Sequence, residues 1–500
     1  MPTETGADAA APAIDRGLLS PVSVGFDEET GDAEFAACLI AAEVALVRAW
    51  AAVGVAPRAV AERVSDALGW RDSGSGRDLA SGGLRALPDF PLDRLVEEAV
   101  AGGNPVIPLV GMLRERVPED CRRWVHRGAT SQDIMDSALM LLAARAGGSM
   151  LRELAGVSER LAEFAAGHRD DVCAARTLTQ HAVPTTVGLR ASGWLRGVDR
   201  ARARLRDALD ALPAQLAGAG GTLASFVEIA RLEAASGSES PADTASALPA
   251  ALARELGLAA PDGPWHTVRW PVTELGDALV QAVDAVAVIA ADVATLGRTE
   301  IGELAEGSGG GSSAMPQKRN PARSVLIRSA ALRAPQLGAT LHTAAALAVD
   351  ERPDGAWHAE WPTLRELLRL ACGATGRAAD LVAGLRADPE AARRNLALSR
   401  GLIVAERLSI VLGPVIGADR VKRIVAEAGA GADLAELLRA EPGVAEAGID
   451  IAALLDPQNY TGLAGAIVDA AIAGAAGVDA AGVDAPAGPE NLEPSTEDHA

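Results

Sequence analysis

The sequence predicts an all-α protein built on a bundle of long helices, and three observations carry that expectation. Hydrophobic residues make up 49% of the 500, yet only eight Trp, five Phe and one Tyr occur, so the core is aliphatic. Packed helices fill such a core readily, whereas sheets favour β-branched and aromatic residues. From Pro271 to Leu296, residues Val272, Leu275, Leu279, Val283, Val286, Ile289, Val293 and Leu296 recur at spacings of three or four, which is the helical period. At 1.5 Å per residue this helix is roughly 39 Å long. Two more long helical stretches cover 330–347 and 361–385.

In chain order, residues 1–17 are small and polar and read as a flexible arm. Helical patterning begins near Asp32, breaks at Asp72-Ser-Gly-Ser-Gly, resumes around 92–101 and breaks again at Gly102-Gly103-Asn104-Pro105. From Met112 to about Leu212 the chain reads as helix with two interruptions, one of them at Pro184, which should bend or restart a helix. Pro271 suits the first turn of the long helix, where its missing N–H costs nothing. Asp277, Asp284 and Asp292 punctuate that helix. The expected organisation is a helical N-terminal domain at 18–125, a central long-helix bundle at 126–387 and a C-terminal helical domain at 388–475. A tail at 476–500 should be disordered, being acidic and proline-rich without Lys or Arg.

Composition narrows the function. Lys and Arg number 46 against 67 Asp and Glu, a net charge of −21, which repels phosphate backbones and anionic lipid. Nucleic acid and membrane are therefore not expected partners. Mean hydropathy is +0.14, but no run of 18 residues is uninterruptedly apolar, so no membrane-spanning helix is expected. The N-terminus lacks the basic end and apolar block of a signal peptide, which points to the cytoplasm. Cys38, Cys121, Cys173 and Cys372 lie far apart, and no His cluster accompanies them. That spacing predicts buried reduced thiols, with no metal site and no disulfide framework.

Three segments carry polar groups that helices do not require. The first is His126-Arg-Gly-Ala-Thr-Ser-Gln-Asp133, where Thr130 and Ser131 either cap the following helix or, with free N–H groups, bind a carboxylate. The second is Arg176-Thr177-Leu178-Thr179-Gln180-His181, a cation, a hydroxyl, an amide and an imidazole within six positions. His181 is open to either a packing or a catalytic role. The third runs from Gly307 through Ser312, Ser313, Met315 and Lys318 to Asn320 and Pro321. A glycine-rich loop anchored by two prolines can close over a ligand, excluding water and delivering a hydroxyl, an ammonium and an amide.

Ser312-Ser313-x-Met315-Pro316-x-Lys318-x-Asn320-Pro321 resembles the signature of the aspartase/fumarase superfamily, and the first two segments match its other regions in order and spacing. Within that superfamily the chain is similar to the 3-carboxy-cis,cis-muconate cycloisomerases, through Gly103-Asn104-Pro-Val-Ile-Pro108, Gly128–Asp133, Gly218–Ser225, Pro264–Thr267 and Gly355–Trp361. The resemblance covers roughly residues 18–472. It implies a homotetramer with a central bundle of long helices and active sites shared by three subunits. It implies proton abstraction beside a carboxylate, expulsion of a leaving group from the neighbouring carbon, a small dicarboxylate or tricarboxylate substrate, and no metal or organic cofactor. Ser312 is then the base and Lys318 and Asn320 hold the anionic intermediate. Ser313, Met315, Asn104, Thr130, Ser131, Gln132, Arg176, Thr177, Gln180 and Arg352 surround the substrate.

The chain departs from the pattern at Leu178, where many superfamily lyases carry His. His126 or His181 then serves as acid, or water does, or the leaving group needs no proton. A weakly basic leaving group fits both a nitrosuccinate-type substrate and a lactone carboxylate. Carbon–nitrogen lysis to fumarate is the preferred expectation, cycloisomerisation the alternative, and an inactive scaffold of the same fold the last. Val349-Asp350 before Glu351-Arg352, where the cycloisomerases have other residues, favours the first.

Overall fold

The computed structural model describes residues 17–26, 28–70, 87, 89–233, 240–307, 310–311 and 315–481. Ser312, Ser313, the arm before Gly17 and the tail after Ala481 lie outside the described residues. Helices dominate, as the aliphatic composition requires, and the chain forms two compact units. The first comprises 1–156, 200–295 and 306–385; the second comprises 157–199, 296–305 and 386–500.

The first unit begins with α1 (Asp32–Ala52) and α2 (Arg58–Ala67), followed by α3 (Leu92–Gly102) and α4 (Val106–Arg116). Gly103 ends α3 in the left-handed conformation, φ 68°, that a helix C-terminus favours for glycine. Helix α1 is buried on every side from Ala36 to Val47. The boundary between the units falls within α5 (Ser131–Gly167) and α6 (Val187–Asp210). Next come α7 (Ala224–Glu233), α8 (Pro241–Leu256) and the long α9 (Trp270–Leu296), whose eight apolar positions named above are all buried. Helices α10 (Ala322–Ala346) and α11 (Ala356–Ala383) pack along their lengths.

Small residues set the spacing of these helices. A Cβ on Gly276 of α9 would lie 2.8 Å from Leu341 of α10, and one on Gly338 of α10 would lie 3.1 Å from Val280 of α9. At Gly373 of α11 a Cβ would meet backbone, 2.7 Å from the Val22 carbonyl oxygen and 2.8 Å from the Ser23 Cα.

The second unit corrects the helical reading of 112–212. Val172–Thr177 and Gln180–Thr186 form an antiparallel ribbon, β1 and β2, in which Pro184 faces Ala174 and no helix is bent. The physical reason is local: Val172, Thr177, Val183, Thr185 and Thr186 are β-branched, and a two-stranded ribbon has open edges where proline's missing donor is tolerated. Leu178 and Thr179 turn the ribbon with φ of 48° and 73°, both positive as a type I′ turn demands. Short strands β3 (Leu304–Ala305) and β6 (Arg386–Ala387) pair with each other. The C-terminal part carries α12 (Pro389–Ala397), α13 (Ala405–Ile416), α14 (Ala418–Gly429), α15 (Leu434–Arg439), α16 (Pro442–Glu446), α17 (Ile451–Leu455) and α18 (Ala464–Ala481). Leu408, Leu412, Val421, Ile424, Leu434, Leu438, Val444 and Leu454 form its core.

All four cysteines are buried and unbridged, and burial pushes the Cys38 thiol up to about 12. The expectation that no helix could span a bilayer needs correction. Asp32–Ala52, Ser131–Gly167 and Trp270–Leu296 are long and apolar enough by length and composition, because the average tolerates the charges that interrupt each run. Within the protein, 78%, 72% and 44% of their most apolar windows are buried.

Replacing Gly373 by Ala should lower stability by about 1–3 kcal/mol, since the methyl meets backbone that cannot rotate away. Thermal denaturation of the variant beside wild type measures this. An unchanged melting temperature would show that 17–26 is not seated on α11.

Candidate active site

In the first unit, the start of α5 organises the site. The preceding loop is held from both sides: Trp50 of α1 donates through Nε1 to the Arg127 carbonyl at 3.0 Å, and Ser225 Oγ donates to the Gly128 carbonyl at 2.7 Å. Gly128 sits at φ 86°, and a Cβ there would press on Phe226 and Ile229 at 3.1 Å. The helix then opens with an acid that binds only donors. Asp133 accepts from the backbone N–H of Thr130 at 3.0 Å, of Ala217 at 2.9 Å and of Gly218 at 3.0 Å, and contacts His266 Nε2 at 3.0 Å. The contact to Thr130 is the reach-back half of a capping box.

That arrangement changes the expected role of two residues. The Thr130 hydroxyl accepts from Arg352 Nη2. Gln132 is fully buried, with its amide nitrogen on Asp136 at 3.2 Å and on the His266 carbonyl at 2.9 Å, so it supports the helix start from inside. Arg352 keeps a buried Nε without a hydrogen-bond partner among the described residues. Thr130, Ser131 and Arg352 thus place a hydroxyl pair, a guanidinium and the positive end of a 37-residue helix together, a combination that attracts a carboxylate. Asn104 stands in the turn before α4, its Oδ1 accepting from the Val106 N–H at 3.1 Å. A Cβ on its neighbour Gly103 would lie 3.8 Å from His358 Nε2, and His358 packs on Trp357 and Trp361.

Behind this face lies a buried ion cluster. Arg269 has no exposed side-chain surface; its Nη1 donates to Asp136 at 2.7 Å and its Nη2 to Glu360 at 2.5 Å. Trp357 Nε1 donates to Asp136 at 2.9 Å, and the Arg269 guanidinium lies over the Trp265 ring at 4.8 Å. Burial pushes the Glu360 carboxyl up, and Asp136 adds to that, against the lowering by Arg269.

The glycine-rich loop is fixed at its base. Gly310–Gly311 (β4) pairs with Arg319–Asn320 (β5). Glu306, buried, accepts from the Ser324 N–H at 2.8 Å and hydroxyl at 2.7 Å and holds the start of α10. Gly307 and Gly384 approach so closely that a Cβ on either would meet the other's backbone within 3.0 Å. Met315 and Lys318 are exposed and Asn320 is half-buried.

In the second unit, the ribbon carries Arg176 opposite His181 and Thr177 opposite Gln180. Arg176 is engaged by Glu303 through two bonds, 3.0 and 2.5 Å, and Asn395 donates to the same carboxylate at 2.7 Å. Burial opposes the Glu303 charge, but Arg176 and Asn395 hold its carboxyl below the usual range. Thr177 and Gln180 are exposed beside the tip, and Leu178 is 96% exposed.

The two candidate histidines differ. Burial and then Arg176 push His181 below the ordinary histidine value, so it is neutral at pH 7. Burial also works against a charged His126, but Glu43 at 2.7 Å outweighs it and raises His126 above that value. Sequence reasoning missed Glu43, Asp133, His266, Glu303 and Glu306. Single acids inside apolar runs, as at Ala41-Ala42-Glu43-Val44, were the signal available.

Residues 26–335 match the family described as lyase. The chain belongs to this lyase family. It is 41% identical over 481 residues to the nitrosuccinate lyase of Streptomyces davaonensis, covering 93% of this chain and 96% of that one. To the 3-carboxy-cis,cis-muconate cycloisomerase of Pseudomonas aeruginosa it is 39% identical over 447 residues, 86% of this chain and 90% of that one. The crystal structure of the 3-carboxy-cis,cis-muconate lactonizing enzyme from Pseudomonas putida superposes with a TM-score of 0.79 at 31% identity, covering 93% of this chain and all of that chain. The protein is therefore an aspartase/fumarase superfamily enzyme, a lyase with that superfamily's helical fold.

Replacing Arg269 by Met should destabilise this lyase by about 3–5 kcal/mol, because two buried carboxylates lose their cation. Urea unfolding reads the loss, and a change under about 1 kcal/mol would mean that the cluster is not the anchor of α5.

Proposed function

We propose that the protein abstracts a proton beside a carboxylate of a nitrosuccinate-type substituted succinate and expels nitrite, giving fumarate. The carbon–hydrogen bond yields its proton to the base, and the carbon–nitrogen bond breaks with its electron pair leaving on nitrite. Leu178 carries this reading. Where many superfamily lyases have a proton-transferring His, this chain has an alkyl side chain at a ribbon tip, and nitrite needs no proton to leave. The similarity to a nitrosuccinate lyase over 93% of the chain supports it.

In this reading Ser312 is the base. Its hydroxyl is a weak base unless neighbouring charge lowers its pKa, which Lys318 supplies. The doubly charged intermediate needs donors in place before it forms. Lys318, Asn320 and the loop N–H groups supply them, with Ser313 and Met315 shaping the loop. Thr130, Ser131 and Arg352 hold one carboxylate, Thr177 and Gln180 face the other, and Asn104 lines the rim. Arg176, committed to Glu303, holds the ribbon in shape. His126 is the charged donor and His181 a neutral one.

Each site draws its segments from three subunits of a homotetramer working in the cytoplasm, with neither nucleic acid nor membrane as partner. The second reading, lactonising cycloisomerisation, is favoured by the likeness to the Pseudomonas enzymes, and a lactone carboxylate likewise leaves unprotonated. Lys318 and Asn320 speak against an inactive scaffold.

Adding nitrosuccinate should produce fumarate absorbance at a rate well above any loss of carboxymuconate absorbance. No turnover of the first with rapid loss of the second would reverse the order. Ser312→Ala should reduce turnover by roughly a hundredfold or more with the oligomer intact on gel filtration; retained activity would displace Ser312 as base.

A further inference from the structure

Glu43 is not needed by the helix that carries it. Its neighbours in α1 are aliphatic and buried, and the residue itself is 1% exposed. Carboxylate oxygen Oε2 has no hydrogen-bond partner among the described residues. An acid in that setting costs several kcal/mol, by order of magnitude, unless a partner offsets it. The one described partner is Nδ1 of His126, 2.7 Å from Oε1. His126 is itself held at φ 59°, a left-handed conformation that costs a non-glycine residue on the order of 1 kcal/mol or more. Two local costs meet in one contact, and such coincidences gather at functional sites.

The contact also leaves the ring poised. With Nδ1 on Glu43, Nε2 makes no described hydrogen bond and is not among the enclosed atoms that lack a partner, so it is open to a ligand. Four residues later the chain reaches Thr130 and Ser131. We propose that Glu43 is a positioning residue: it binds the Nδ1 proton of His126, locks the ring, and presents Nε2–H to the anion bound at the start of α5. The inference rests on reading Thr130, Ser131 and Arg352 as a carboxylate site.

The charged groups facing His126 are Glu43 from α1, Asp133 from the first turn of α5 and Arg114 from α4. Burial disfavours the imidazolium; Glu43 and then Asp133 favour it, and Arg114 repels it, with a net rise. A raised value means that the proton is present below it and lost as the pH climbs through it. Catalysis that uses His126 in its charged form therefore falls on the alkaline side. Removing Glu43 leaves burial and Arg114 against Asp133 alone, so the alkaline limb moves to lower pH.

The test uses the full chain with histidines carbon-13-labelled at Cε1, the His126 signal being assigned by its absence in His126→Gln. Glu43→Gln should lower the His126 titration midpoint by about one pH unit or more. The alkaline limb of kcat/KM on nitrosuccinate should move with it. Glu43→Asp retains the charge but withdraws it by one methylene. It should recover much of the midpoint while kcat/KM stays about tenfold low even below both midpoints, because the ring is no longer held. Should Glu43→Gln fail to fold, the Asp variant decides: wild-type kcat/KM at every pH overturns the proposal. An unmoved midpoint in Glu43→Gln overturns it too, as does a moved midpoint with an unmoved limb. If the wild type does not turn over nitrosuccinate, the substrate reading falls instead, and the limb is read on loss of carboxymuconate absorbance.

Discussion

Arg269, just before α9, holds a guanidinium with no exposed surface between carboxylates from two helices, Asp136 of α5 and Glu360 of α11. Separating these groups in a dry interior would leave charge unpaired at a cost of several kcal/mol, by order of magnitude. The three elements are therefore bound to one geometry. Asp136 lies one helical turn from Gln132 and one residue beyond the turn containing Asp133, so fixing it fixes the opening of α5. The direction in which Thr130 and Ser131 face follows from that. Trp357, bonded to the same Asp136, ties the start of α11 to this point, a few residues after Arg352.

Electrostatics is arranged locally against the global charge. A chain of net charge −21 must hold any anion in a pocket whose near field outweighs its envelope, since surface charges beyond a Debye length are screened. Arg352 and the α5 terminus make such a field in the first unit, and His126, whose charged form Glu43 favours, adds to it when protonated. In the second unit the opposite choice is made at Arg176. Its charge is consumed by Glu303 and Asn395, and what remains at the tip is hydroxyl, amide and a neutral imidazole.

The long helices were legible because burial imposes a period: all eight spaced apolar residues of α9 are buried. The break at Gly103 was legible for a local reason, whereas α10 starts at Ala322, before the 330 expected. The ribbon at 172–186 was not. Its residues alternate too little to show a period of two, and Pro184 reads equally as a helix breaker. What distinguishes it is the pairing of Arg176 with His181 across a two-residue turn, a relation no local pattern displays. The buried acids escaped for another reason. Glu43, Glu303 and Glu306 stand beside apolar residues in sequence, but the partners that give them a role, His126, Arg176 and Ser324, come from other elements.

The ribbon tip shows how a site residue can be out of place by local rules. Position 178 has positive φ and near-complete exposure, and glycine or asparagine would satisfy both more cheaply than leucine. Thr179 beside it has positive φ as well. Two such residues cost on the order of 1 kcal/mol or more each, and the exposed alkyl group adds the loss of about 2 kcal/mol that its burial would return. These costs are hard to reconcile with a tip that stays in water. In the homotetramer proposed above, a neighbouring subunit would cover the tip and offset them. In the proposed reaction leucine would contribute an apolar wall where a histidine would contribute a proton, which suits a leaving group that departs unprotonated.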